Sequence, residues 1–353
     1  MKKIISAFLI CIIILTTLCS CQYIPVENFP QLDAPENTAL TVHFIDVGQG
    51  DSILLESYGS YVLIDAGESE KSNIVCNYIR ALGTDTIDYV IATHPHSDHV
   101  GGLSDVIYSF ECKNFITAET DQKTKTWLDV LSAVDKTDSN YIDAEVSSTY
   151  TFGEAKFEIL GPQSDSYDDY NNYSVIVKAT CGDTSFLFTG DAETLSEREM
   201  LKSSVDLSAD VLKVGHHGST TSSSDEFLDA VNPTYAVISC GKNNDYGHPH
   251  KEILKALSKR DIVTYRTDEL STIVAFSDKK DITFTYVNSD VVIYNPHDKN
   301  STENVFIGNK NSHKVHRSYC ESVRDMNKKN QVVFHSMDEA MKEGYSPCNN
   351  CNP

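Results

Sequence analysis

Seven consecutive residues, Thr93-His94-Pro95-His96-Ser97-Asp98-His99, constrain this 353-residue chain more than any other stretch. Histidines at i and i+2 straddle one residue, so a loop at a strand end can turn both imidazoles toward one ion. Asp98 and His99 follow at once and can serve a second ion beside it. Imidazole and carboxylate are suitable ligands for zinc, manganese or iron. A plain polar surface loop is the competing reading. The density of three His and one Asp in six residues, followed by Gly101-Gly102, argues against it.

Other ligand-type residues also stand where strands are expected to end. A buried strand over 88–93 leads into His94. A strand over 184–189 ends at Gly190-Asp191, and one over 211–214 ends at Gly215-His216-His217. A strand over 234–239 precedes a polar loop over 241–250. A sheet-based fold collects its site at such loops. Elsewhere, 40–47 alternates as a strand, and 52–57 with 61–65 reads as a hairpin around Tyr58-Gly59-Ser60. Helical periodicity covers 72–82, capped by Gly83, and also 103–110 and 124–134. Further strands are expected over 156–160, 174–180, 262–266, 272–276, 282–287 and 291–294.

The formal net charge of −22 repels nucleic acid and anionic membrane at long range, so a phosphate-bearing substrate must be recruited locally, by metal ions. The last 51 residues, 303–353, carry seven Lys/Arg against six Asp/Glu, so the acidic balance belongs to the main body. At the N-terminus, Lys2 and Lys3 precede an apolar run over 4–18 that is short for a membrane span, the pattern of a signal peptide. Leu18-Cys19-Ser20-Cys21 is similar to a bacterial lipobox with Cys21 as lipid acceptor. Residues 22–38, with Pro25, Pro30 and Pro35, read as a tether. No later apolar run is long enough to span a bilayer. The expected location is therefore extracytoplasmic, with a lipid anchor as the sole attachment to the bacterial membrane and no transmembrane channel.

The motif His94-x-His96-x-Asp98-His99 resembles the signature of the metallo-β-lactamase superfamily. Phe44-Ile45-Asp46-Val47-Gly48-Gln49-Gly50-Asp51-Ser52 and Leu63-Ile64-Asp65-Ala66-Gly67 resemble, more narrowly, the extracellular hydrolase domain of ComEC-type competence proteins. So do Leu187-Phe188-Thr189-Gly190-Asp191, Val214-Gly215-His216-His217-Gly218-Ser219 and Tyr246-Gly247-His248-Pro249-His250. The resemblance spans about 40–288. It implies an α/β (α+β) fold: an αββα sandwich with its site at one edge of two sheets. It implies two divalent ions, zinc or manganese. His94 and His96 match the ligands of the first ion, Asp98 and His99 those of the second, and Asp191 the carboxylate bridging both. His248 matches the late His of the second ion, with His250 as the competing choice. Asp65 matches a residue that orients ligands by hydrogen bonding. His216 and His217 join Asp98 as catalytic residues, protonating a leaving group or holding a phosphate. Asp46, Gln49 and Asp51 read as turn and loop anchors.

One departure bears on the metal. Many relatives supply a third His to the first ion, but no His occurs between Val100 and Gly215. Asn171-Asn172-Tyr173-Ser174 fills that position, which shifts the balance from zinc toward harder ions such as manganese.

The C-terminal 50 residues read as a separate unit. His316-x₃-Cys320 and Cys348-x₂-Cys351 have the spacing of a tetrahedral structural zinc site, with His313 as an alternative ligand. A unit this small needs such a staple. From Phe306 to Cys348 it resembles the zinc-binding domain of the DNA-repair protein Ada. In Ada the first of four Cys accepts a methyl group; His316 at that position excludes methyl transfer on this reading. Lys310, Lys314, Arg317, Lys328 and Lys329 read as solvated surface charges rather than phosphate contacts.

The domain plan is thus signal peptide 1–21, linker 22–38, hydrolase domain 39–295, linker 296–303 and Ada-like domain 304–353. The expected function is a metal-dependent phosphodiesterase or nuclease with a phosphodiester substrate, DNA among the options. The alternatives are a hydrolase of phosphocholine or another small or wall-derived ester, and an inactive lipoprotein that binds DNA or wall polymer.

Overall fold

The computed structural model describes residues 34–286, 306–317, 321–324, 326–334 and 337–348. The signal segment, Cys21, most of the tether, the 291–294 strand, the 296–303 linker, Cys320 and Cys351 lie outside the described residues.

In chain order the main body has β1 (Leu40–Phe44), β2 (Ile53–Ser57), β3 (Ser60–Ile64), α1 (Ser72–Ala81), β4 (Thr86–Ile91), α2 (Ser97–Val100), α3 (Leu103–Ser109), β5 (Glu111–Thr117), α4 (Lys125–Lys136) and β6 (Asn140–Asp143). There follow β7 (Thr149–Phe152), β8 (Ala155–Gly161), β9 (Ile176–Cys181), β10 (Thr184–Phe188), α5 (Thr194–Lys202), β11 (Val211–Lys213), α6 (Asp225–Val231) and β12 (Tyr235–Ile238). The last elements are α7 (Lys251–Lys259), β13 (Val263–Arg266), α8 (Thr267–Leu270), β14 (Ile273–Ser277) and β15 (Ile282–Tyr286). One sheet runs β15-β14-β1-β2-β3-β4-β5-β6 and the other β13-β12-β11-β10-β9-β8-β7.

Alternation along the strands makes the layers. Leu40, Val42 and Phe44, Ile53 and Leu55, Val62 and Ile64 point between the sheets, where they meet Phe157, Ile159, Phe186, Phe188 and Val237. The intervening residues face outward. Leu54 and Leu63 pack with Val75 and Ile79 of α1, Val106 of α3 and Trp127 of α4. Leu187, Leu212 and Ala236 pack with Met200, Phe227, Leu228, Ile253 and Leu257 of α5, α6 and α7. Each buried Leu or Phe contributes on the order of 1.5–3 kcal/mol, so three such layers commit the chain to an αββα sandwich. Helix starts are fixed locally: the Thr124 side chain accepts from Trp127 N, and that of Ser224 accepts from Phe227 N. Cys112, Cys181 and Cys240 are buried thiols rather than disulfide partners.

The parallel run of β3, β4 and β5 in one sheet, and of β10, β11 and β12 in the other, puts their carboxyl ends at a common edge. Asp65, Thr93, Asp191, Val214 and Ser239 all stand just beyond these ends.

The C-terminal unit is a four-stranded sheet of β16 (Phe306–Asn309), β17 (Lys314–Arg317), β18 (Gln331–Phe334) and β19 (Ser346–Pro347), in the order β18-β16-β17-β19. Its small core joins Val315, Phe334 and Ala340. Among the described residues no helix is long and apolar enough to cross a membrane.

Candidate metal centre

Backbone conformation aims the ligands before any side chain is considered. Asp65 follows β3 at φ 57°, a left-handed conformation unusual for a non-glycine residue. Its carboxylate accepts from Thr93 N at 2.9 Å and from Thr93 Oγ1 at 2.6 Å. His216 and His217 are both left-handed, at φ 50° and 55°, and Gly218 follows at 85°. The His pair is strained by about 1–3 kcal/mol per residue, held by His216 N to Gly190 O and Ser219 N to His216 O. Gly218 is required here: a Cβ would lie 2.5 Å from that of Pro249.

Three histidines place an Nδ1–H against oxygen and leave Nε2 facing a common space. His99 Nδ1 donates to Asp65 Oδ2 at 2.7 Å. His217 Nδ1 donates to the Ser239 carbonyl at 3.0 Å. Thr93 Oγ1 already donates to Asp65, so at 3.1 Å it accepts from His94 Nδ1. Inside that space, His99 Nε2 lies 3.2 Å from Asp191 Oδ1, and His217 Nε2 lies 3.4 Å from Asp191 Oδ2 and 3.3 Å from Asp98 Oδ2. One ligand atom from each of Asp98, His99, Asp191 and His217 falls within 4.8 Å of the others. His99 Nε2, His217 Nε2 and Asp191 Oδ1 are nevertheless buried without a hydrogen-bond partner. Buried polar atoms are almost always paired. Imidazole and carboxylate atoms converging on one point without hydrogen bonding one another have the chemistry of a cation site, so these residues fit a metal.

A second convergence adjoins the first. His94 Nε2 and His96 Nδ1 lie 3.1 Å apart, with ring planes at 82°. Asp191 Oδ2 is 4.0 Å from His94 Nε2, so this one carboxylate faces both groups. Ser174 stands behind: its Oγ accepts from Asp191 N at 3.0 Å and lies 3.4 Å from His94 Nδ1. Of the segment expected where relatives carry a third His, Asn172 Oδ1 accepts from Glu193 N and Ser196 N, which is structural. The Asn171 side-chain oxygen is buried and unpaired.

The electrostatics follow the same pattern. Burial disfavours charge on His99 and His217, but Asp191 above all outweighs it and drives both imidazoles well above their usual range. Burial pushes the Asp191 and Asp98 carboxyls up; His217 and His99 reverse this and hold both well below the usual range. His94, buried beside His99, is pushed far down.

His248, expected as the late ligand, is outside the four-residue group, and His217, expected as a catalytic residue, is within it. The His248 ring centroid is 6.2 Å from that of His217 and 5.7 Å from that of His216, and Nδ1 lies 3.5 Å from Gln49 Nε2. The reason is topological: His217 ends the parallel strand next to β10, whereas His248 follows β12, one strand further out. Burial and the imidazoles of His217, His216 and His250 push the His248 pKa down to about 4. Tyr246 stacks on it at 5.6 Å and is 68% exposed. His250 immediately precedes α7, and its Nδ1 accepts from Thr220 N at 3.0 Å. His216 is at the mouth, Nε2 3.6 Å from Asp191 Oδ2 and Nδ1 2.9 Å from Thr221 Oγ1.

Asp46 and Gln49 are loop anchors as expected, accepting from Gly48 N and Gly241 N. Asp51 is more than that. It is buried, with Oδ2 2.8 Å from Lys213 Nζ and Oδ1 3.4 Å from His217 Nδ1. Lys213 escaped the sequence reading, although a lysine inside the apolar run Val211-Leu212-Lys213-Val214 was a visible signal.

In the C-terminal unit, His316 on β17 and Cys348 just after β19 are both buried. The parallel pairing of Val315 with Pro347, and the bond from Cys348 N to Val315 O, make them neighbours. His313 is exposed in the preceding turn, with its ring against Tyr345.

The sequence profile of the Metallo-beta-lactamase superfamily matches residues 45–242, and that of the metal binding domain of Ada matches 291–353. ComE operon protein 3 of Bacillus subtilis (strain 168) is 31% identical over 256 residues, covering 66% of this chain and 32% of the relative. Competence protein ComA of Neisseria gonorrhoeae is 32% identical over 244 residues, with the same two coverages. Recombination protein 2 of Haemophilus influenzae is 28% identical over 236 residues, 65% of this chain and 28% of the relative. The chain thus spans about a third of the length of these relatives.

Proposed function

Since the chain belongs to the metallo-β-lactamase superfamily and carries an Ada-type metal-binding domain, we propose that its main domain is a metal-dependent phosphodiesterase. The observation that carries this is the convergence of Asp98, His99, Asp191 and His217 with three buried, unpaired ligand atoms. On this reading those four would hold one ion, and His94 and His96, with Asp191 facing both groups, would hold another. When bound, such ions make water nucleophilic near neutral pH and offset charge on a phosphoryl group. The protein's own part is orientation. Asp65 and Ser239 fix the protons on His99 and His217, and Ser174 and Thr93 fix Asp191 and His94. His216, at the mouth and tethered to Thr221, is placed to hand a proton to a leaving oxygen. The His316–Cys348 pair, with Cys320 and Cys351, is taken to hold a structural zinc.

The substrate class is a phosphodiester, with DNA favoured by the competence-named relatives. The net charge of −22 favours a second reading, a small or wall-derived ester such as a phosphocholine. The enzyme is taken to work outside the cell membrane, tethered through Cys21. The test is hydrolysis of bis(4-nitrophenyl) phosphate, single-stranded DNA and phosphocholine esters by the full chain with manganese or zinc. Turnover of the first two, lost in Asp191→Asn with the fold retained, is expected. Absence of turnover on every ester with metal bound would leave a binding protein instead.

A further inference from the structure

We infer that Lys213 and Asp51 form a positioning pair for His217 that tunes the metal affinity of the Asp98/His99/Asp191/His217 group. This rests on the reading that a metal binds there.

Lys213 ends β11, and its side chain is fully buried. Nζ donates to Asp51 Oδ2 at 2.8 Å and to the Val214 carbonyl at 2.9 Å. Val211, two residues earlier on the same strand face, packs in the apolar layer between the sheets. A methionine or leucine at 213 would therefore suit the fold. A buried ammonium is costly to desolvate, and replacing a buried ion pair by apolar residues is often neutral or stabilising. The pair needs an explanation other than stability.

Its location supplies one. Asp51 comes from the loop before β2, in the other sheet from Lys213, so the pair joins the two sheets beside the site. The Asp51 backbone is pinned at both ends: its N donates to Asp98 O at 3.1 Å, and its O accepts from Gly67 N at 2.8 Å. These bonds fix the loop that carries Asp51 beside His217. The Nδ1–H of His217 is bonded to the Ser239 carbonyl, which can only accept. Asp51 Oδ1 stands 3.4 Å from that same Nδ1 without a hydrogen bond of its own, so it acts as a fixed negative charge behind the ring. Negative charge at Nδ1 holds the proton there and makes the Nε2 lone pair a better donor. Asp65 does the same for His99, but Thr93 holds Asp65 with neutral donors, whereas Lys213 holds Asp51 with a full cation. Lys213 holds the Asp51 carboxylate stationary through the 2.8 Å contact between Nζ and Oδ2.

A purely structural pair and a positioning pair differ in the double variant Lys213→Met/Asp51→Asn. Removing both charges relieves the burial penalty in either case. The readouts are thermal melting of the full chain and manganese(II) binding followed by loss of the free-ion EPR signal; the thiolate-rich tail disfavours manganese. We expect the double variant to melt near wild type yet bind manganese roughly 10–100-fold more weakly. Asp51→Asn alone, which preserves shape but leaves Lys213 uncompensated, should bind more weakly still. Wild-type affinity in either variant overturns the inference. If the wild type itself binds no manganese, the metal reading fails instead.

Discussion

His99 and Asp65 are joined by a hydrogen bond of 2.7 Å, Nδ1 to Oδ2, with both side chains wholly excluded from solvent. Asp65 takes two further bonds from Thr93, so its carboxylate is fully committed to orienting one imidazole and the strand end that carries the ligand motif. Asp65→Ala should weaken manganese binding by roughly 10–100-fold, measured by equilibrium titration of the folded protein. Unchanged affinity would mean that His99 is not a ligand.

His216 touches the site from its solvent side, with Nδ1 2.9 Å from the Thr221 hydroxyl and Nε2 3.6 Å from Asp191 Oδ2. His216→Ala should lower kcat about 100-fold or more while metal content stays at the wild-type level. The loss should shrink for substrates with good leaving groups, which need no proton. Equal losses on nitrophenyl and alkyl phosphodiesters would argue against proton transfer.

Tyr246 lies stacked on His248 in the loop beyond β12, exposed and facing the same mouth. In a surface so acidic, an aromatic platform can hold a nucleobase without electrostatic help, with stacking contributing about 1–3 kcal/mol per base. Tyr246→Ala should therefore raise KM for single-stranded DNA about fivefold or more and leave KM for bis(4-nitrophenyl) phosphate nearly unchanged. A parallel rise for both would assign Tyr246 to the architecture of the loop.

The two metal classes should separate on chelation. The main-domain atoms are imidazole nitrogens and carboxylate oxygens, while the proposed tail set of His316, Cys320, Cys348 and Cys351 is rich in thiolates, which favour zinc. Mild chelation should abolish turnover and leave about one zinc per chain, and manganese should restore turnover without displacing that zinc. Elemental analysis before and after chelation checks this; loss of the tail zinc first would reverse the assignment.

Much of the site was legible because its residues sit where apolar alternation stops. The strand before His94, the strand before Asp191 and the strand before His216-His217 are each a few apolar residues ending in Gly or a ligand. That His217 rather than His248 falls within 4.8 Å of Asp98, His99 and Asp191 was not legible. It depends on which strand neighbours β10, and strand order is set by pairing between residues far apart in the chain. The Asp51–Lys213 pair was not legible for the same reason, since Lys213 arrives 162 positions later, from the other sheet. The helices α5, α6 and α7 went unread because the second sheet's outer layer is short and polar on its exposed face. In α7 only Ile253 and Leu257 are fully buried. By contrast, the β2–β3 hairpin, α1 and α3 lie within a residue or two of expectation, since turn chemistry and periodicity act locally.

The most direct test compares His217→Ala with His248→Ala in the full chain, after chelation and reloading with manganese. His217→Ala should stay folded, lose main-domain manganese and stop hydrolysing bis(4-nitrophenyl) phosphate, while His248→Ala should keep its manganese and much of its turnover on that small ester. Full manganese content and normal turnover in His217→Ala would contradict that expectation.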